Sequence, residues 1–145
     1  MNLFNKIGYY FEKEKDIKKS IEFYLNSKNF DRVAKLFLKY YKVLIKNKEY
    51  ILIKKLLNDL PLKYYEKYPL FYYYKANMSI ILEKKTEEAE KILKILEKKK
   101  IEDKERRIKA LKAFIFETKG EFQESLKIYE ELTKEIKDKD LLKSC

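Results

Sequence analysis

Apolar residues recur along this chain at intervals of three and four, and strict alternation is nearly absent, so the pattern predicts helices throughout. Leu3, Ile7, Tyr10 and Phe11 share one face of a first helix over about 3–14. Asp16 stands where it can cap a second, over about 17–27, striped by Ile17, Ile21, Tyr24 and Leu25. Asn29 opens a longer helix over about 30–46, carrying Phe30, Val33, Ala34, Phe37, Leu38, Tyr41, Leu44 and Ile45. A break at Asn47 and Lys48 leads to a helix over about 49–60, closed by Pro61 because the residue before a proline disfavours helical geometry. Leu62 to Tyr68 reads as an irregular connector with room for a helical turn. Pro69 suits the first turn of the next helix, about 69–83, which is apolar nearly all round and so expects neighbours on several sides. Thr86 opens a helix over about 86–99, with glutamates at its start and lysines at its end matching the helix dipole. Two more follow over about 103–119 and 121–136, split by Gly120, and Asp140 marks the start of a further one.

Superimposed on this periodicity is a slower one. Gly8, Phe11, Ile17, Ser20, Tyr24 and Ser27 are matched 33 residues later by Tyr41, Leu44, Tyr50, Ile53, Leu57 and Leu60. Steps of 36 then give Asn77, Ile80, Thr86, Ala89, Leu93 and Leu96, followed by Ala113, Phe116, Phe122, Ser125, Tyr129 and Leu132. A period in the thirties with small or apolar residues at fixed places predicts a stack of helical hairpins. The expected fold is all-α, a right-handed solenoid of about four antiparallel hairpins over about 3–27, 30–60, 69–99 and 103–136, within one helical-repeat domain spanning 1–145.

Gly120, Phe122, Ser125 and Tyr129 resemble the turn and second helix of a tetratricopeptide repeat, although serine replaces the usual alanine and the period exceeds that family's. Three stretches resemble more closely the helical-repeat region of large LuxR-family regulators of the maltose-activator (MalT-like) type. They are Tyr10 to Tyr24, Asn29 to Leu36, and Glu49 to Pro61 with Tyr68, Pro69, Leu70 and the run Glu87 to Glu90 after it. The resemblance implies a protein-interaction or sensor module in bacterial transcription regulation. It does not extend to nucleotide hydrolysis or promoter reading: two glycines cannot form a phosphate loop, and no helix-turn-helix reader is evident.

With 41% charged and 46% hydrophobic residues and only two glycines and two prolines, the composition suits a soluble helical protein. No stretch approaches the roughly 20 apolar residues of a membrane span, and no secretory leader is evident, so the chain reads as cytoplasmic. The single cysteine, Cys145, permits no internal disulfide and fits a reducing compartment. There is no histidine, and one cysteine cannot hold zinc, so no catalytic, metal or cofactor site is expected and the chain reads as a non-enzyme.

Net charge is +11, with 14 basic and 7 acidic groups in residues 1–60 but 11 of each in 101–145. That asymmetry supports an alternative reading, a nucleic-acid-binding repeat using the lysine-rich first two thirds, although three arginines offer little bidentate base readout. A further alternative is a stand-alone adaptor that homodimerises through its last repeat, where Leu141 and Leu142 extend apolar surface. On the main reading, a partner protein or peptide, or a small-molecule inducer, docks in the concave groove lined by the first helix of each hairpin. Repeat register places Asn5, Tyr9, Tyr74, Met78, Arg107 and Phe114 there. Most of the thirteen tyrosines are expected to be core rings with a wet hydroxyl.

Overall fold

The computed structural model describes residues 2–144, with side chains described over 2–137; the expectations resting on Leu141, Leu142 and Cys145 lie outside those side chains. Among the described residues there are nine helices and no strand. They are α1 (Leu3–Lys13), α2 (Ile17–Asn26), α3 (Phe30–Lys46), α4 (Tyr50–Asp59), α5 (Leu62–Lys67), α6 (Leu70–Glu83), α7 (Glu87–Glu97), α8 (Lys104–Thr118) and α9 (Phe122–Ser144). Helix boundaries follow the apolar periodicity closely. The connector is itself a short helix, α5, and α9 runs unbroken past Asp140, where a new start was expected. No helix among the described residues is long and apolar enough to cross a membrane.

The chain divides into two compact units, Met1–Glu66 and Lys67–Cys145.

In the first unit, the short turn after α1 reverses the chain so that α2 runs antiparallel to α1. Phe4 lies 6.0 Å from Phe23 by ring centroids, while Lys19 at the other end of α2 sits 5.3 Å over the Phe11 ring. The crossing point requires a residue without a side chain. A Cβ on Gly8 would stand 2.8 Å from Cδ1 of Tyr24, and the Ser20 hydroxyl donates to the Gly8 carbonyl at 2.7 Å. The fourth recurring position is buried in every copy, at Ser20, Ile53, Ala89 and Ser125. Tyr41 fills the crossing position in α3. There α3 and α4 touch far less than α1 and α2 do, and α3 loses helical geometry at the adjacent Tyr40 (φ −113°, ψ 16°).

Asp16 and Asn29 cap α2 and α3 as expected, accepting from the backbone N–H groups of Lys19 and Arg32 at 3.2 and 3.4 Å. Thr86 makes no side-chain cap to α7, because its own backbone (φ −106°, ψ −9°) is already near helical. At the C-termini, Lys15, Lys28 and Lys48 occupy left-handed conformations with φ of 61°, 58° and 55°. Each is followed by a 6→1 bond characteristic of a Schellman turn, such as Asp16 N–H to the Phe11 carbonyl at 2.9 Å. Gly120 holds the matching place after α8, and there φ is 83°. The connector tyrosines are anchored: Tyr64 donates to Asp31 at 2.7 Å, and Tyr65 to the Leu57 carbonyl.

In the second unit, α6 packs on α7 and α8, and α8 on α9. Ala76, Ile80, Ala89, Ile92, Leu96, Leu111 and Ile115 form its apolar cluster.

Two stability changes follow. Replacing Lys15, Lys28 or Lys48 with glycine relieves a left-handed penalty of about 1–2 kcal/mol at a chain-entropy cost of about 0.5–1 kcal/mol. Each change should therefore raise stability by about 0.5–1 kcal/mol, read as a higher melting temperature. Gly8→Ala gains about 1 kcal/mol of helix propensity but overpacks the Tyr24 contact by about 1–3 kcal/mol. It should lower the denaturation midpoint, unlike alanine at a solvent-facing position of α1.

Candidate functional site

Polar groups of the first unit converge where α1, α2 and the start of α3 meet. Asn5 lies one turn before Tyr9 on α1. Asn29 closes the distance from the other side: its Oδ1 caps α3, and its Nδ2 donates to Asn5 Oδ1 at 2.6 Å. Glu12, on the next turn of α1, accepts the Tyr24 hydroxyl on Oε1 at 2.8 Å and pairs with the Arg32 guanidinium through Oε2 at 3.5 Å. Asn5, Lys6, Tyr9, Tyr24, Asn29 and Arg32 surround a cleft of about 230 Å3. Tyr9 is exposed at its rim, with Lys13 Nζ 4.8 Å from the ring centroid.

Tyr24 is buried, and its hydroxyl faces a carboxylate. Burial first, then the hydrogen bond and charge of Glu12, raise its pKa to about 12. The phenol keeps its proton at neutral pH and serves as a donor, not as a base or nucleophile. The same arrangement recurs 105 residues later, where Tyr129 donates to Glu117 Oε2 at 3.1 Å and is likewise raised to about 12, burial being the largest cause. Among the described residues, no group of three or more acidic or sulfur side chains could hold a metal ion.

Of the six residues that register assigned to a groove, Asn5 and Tyr9 share this cleft. Tyr74 and Met78 do not line an open surface: both are buried. Because α6 is apolar nearly all round, the face that register points outward is packed as well. Phe114 is half-buried against the apolar cluster. Arg107 is engaged within its own unit: its guanidinium lies 5.2 Å over the Tyr73 ring, and its Nε donates to the Glu102 carbonyl at 3.0 Å. Burial raises the Tyr74 hydroxyl above its ordinary value, and the neighbouring Arg107 opposes that rise.

Asn29 and Arg32 belong to the cleft, though the sequence marked them only as a cap and a motif residue. The twelve-residue spacing of Glu12 to Tyr24, repeated by Glu117 and Tyr129, was the available signal for this corner. A second groove, about 430 Å3, is lined by Lys18, Lys48 and Lys55 with Glu22 and Glu49 among them. Lys18 pairs with Glu49 at 3.3 Å, so cations and carboxylates are interleaved there and form no unbroken phosphate track.

No protein-family model matches the chain, and no curated protein or solved structure matches it either.

Because the folded pKa of Tyr24 and Tyr129 lies above the ordinary value, their neutral forms stabilise the fold below pH 10, and that contribution is lost as pH rises through 12. An absorbance titration of tyrosinate should show a late-ionising fraction that shrinks in Tyr24→Phe and again in the double variant with Tyr129→Phe. Unchanged late ionisation in the double variant would count against both hydrogen bonds.

Proposed function

We propose that this chain is a non-catalytic interaction module, built from tetratricopeptide-like hairpins stacked as a right-handed solenoid and related to the helical-repeat region of MalT-like regulators. Its work is to dock a partner protein or an inducer, in the service of transcription regulation. The observation that carries this reading is the cleft of about 230 Å3 where Asn5, Lys6, Tyr9, Asn29 and Arg32 converge. Small-molecule sites usually span roughly 300–1,000 Å3, so this cleft suits one side chain or one end of a peptide better than a whole cofactor. The amides and two cations favour a carboxylate or carbonyl, and the exposed Tyr9 ring supplies an amphipathic wall.

Support for the repeat reading comes from parts that recur in register. Ser20 and Ser125 are both buried, Tyr24 and Tyr129 both bond a glutamate twelve residues earlier, and left-handed residues end both α1 and α8.

Binding to a peptide array with free C-terminal carboxylates tests the docking site directly. Tyr9→Ala and Lys6→Ala should each weaken capture about tenfold, or about 1.4 kcal/mol, without lowering the melting temperature. Capture that neither change alters would overturn the assignment of the cleft.

A further inference from the structure

α7 mixes its charges, with Glu87, Glu88, Glu90 and Glu97 beside Lys91 and Lys94. α3 does not. After Asp31, which accepts the Tyr64 hydroxyl, no acidic residue appears until Glu49, while Arg32, Lys35, Lys39, Lys42 and Lys46 follow at intervals of three and four. That spacing sets side chains one above another on a helix. Lys35, Lys39, Lys42 and Lys46 are all exposed, on both sides of the departure from helical geometry at Tyr40. Val33, Ala34, Phe37 and Leu44 take the buried side. At 1.5 Å per residue, the row from Arg32 to Lys46 covers about 21 Å.

Arg32 is held by Glu12, but among the described residues none of the four lysines has a carboxylate within ion-pair distance; Lys39 lies 5.3 Å over the Tyr40 ring. Like charges at these spacings oppose helix formation, so the row costs stability that packing does not require. It also recurs. Lys6 and Lys13, both exposed on α1, hold the places of Lys39 and Lys46 33 residues earlier. Lys6 and Arg32 line the same cleft, so the cations of α1 meet the head of the α3 row.

We infer that the exposed face of α3 binds the sugar–phosphate backbone of a nucleic-acid duplex without reading its sequence. Duplex DNA presents one phosphate per about 3.4 Å on each strand, so a row of about 21 Å spans roughly six of them. Lysine ammoniums meet phosphates as point charges; bidentate base contacts need arginine, and the one arginine of α3 is engaged by Glu12. Single strands are held on exposed aromatic platforms, whereas Tyr40 and Tyr41 are half-buried. A lipid surface takes a basic helix by its apolar side, which α3 packs against α2 and α4. This surface goes beyond peptide docking in the cleft and does not depend on it.

Fluorescence anisotropy of a labelled, mixed-sequence DNA duplex at several salt concentrations tests this. With four phosphates neutralised, log K should fall against log salt with a slope of about −3.6, which is about 150-fold over roughly 50–200 mM salt. Each of Lys35→Gln, Lys39→Gln, Lys42→Gln and Lys46→Gln should reduce that slope by about 0.9, equally for two unrelated sequences. The quadruple variant should bind about a hundredfold more weakly at the lower salt, with its melting temperature unchanged or raised because repulsion along α3 is relieved. A matched quadruple variant, Lys91→Gln with Lys94→Gln, Lys98→Gln and Lys100→Gln, removes the same charge from exposed positions of the second unit and should bind as the wild type does. No binding at the lower salt overturns the inference. So does an equal loss in the matched variant, which would make the effect one of net charge alone. Tighter binding to single strands, phosphatidylserine vesicles or polyglutamate than to duplex overturns it as well. Tyr9→Ala should leave duplex binding unchanged, so failure of this surface and failure of the cleft are read separately.

Discussion

The fold of the first hairpin depends on one close approach. The backbone of α1 at Gly8 lies against the Tyr24 ring so tightly that a methyl group would intrude, and the Ser20 hydroxyl bonds the carbonyl at that point. Small residues at a crossing bring two helices within reach of ring and hydroxyl together, and the remaining apolar stripes then meet by helical geometry. The fourth hairpin repeats the solution with Ala113 and Ser125, both buried. The second does not: Tyr41 occupies the crossing, α3 is kinked beside it, and α5 becomes part of the packing through Tyr64 and Tyr65.

Polar groups in these hairpins mostly hold position. Tyr24 and Tyr129 each bridge the two helices of a hairpin by donating to a glutamate on the first, and in the first unit that glutamate also holds Arg32 at the start of the next helix. A hydrogen bond to a charged acceptor is worth more than a neutral one, about 1.5–3 kcal/mol when shielded, so this corner is a firm joint in an otherwise apolar contact. In the first unit it also creates a recess, because the residues that tie α1 to α3 stand around a cleft of about 230 Å3. The recess is thus a by-product of the joint.

The lysine-rich surface has a structural share as well. Lys15, Lys28 and Lys48 end helices in a conformation that glycine adopts more cheaply, and their charge lies favourably near the negative end of the helix dipole. Others pair with carboxylates across helices, as Lys109 does with Glu135 at 2.8 Å and Lys119 with Glu90. The net charge is therefore partly spent on turns and inter-helix pairs before any partner is considered.

The helices, their caps at Asp16 and Asn29, and the serines buried at equivalent places were legible in the sequence, because local periodicity and side-chain-to-backbone bonds act over a few residues. The recess at Asn5 and Tyr9 was half legible: register placed those two on one helix face, but Asn29 and Arg32 joined them only because α3 starts where it does. Tyr74 and Met78 had the right register for a groove and ended in the packed interior, since an all-apolar helix gives no sign of which face its neighbours leave open. The exposed stripe of α9 reads in sequence just like the covered stripe of α2. A sequence settles which face of a helix is apolar, but only the neighbours that tertiary packing brings against that face decide whether it is buried, as on α2, or exposed, as on α9.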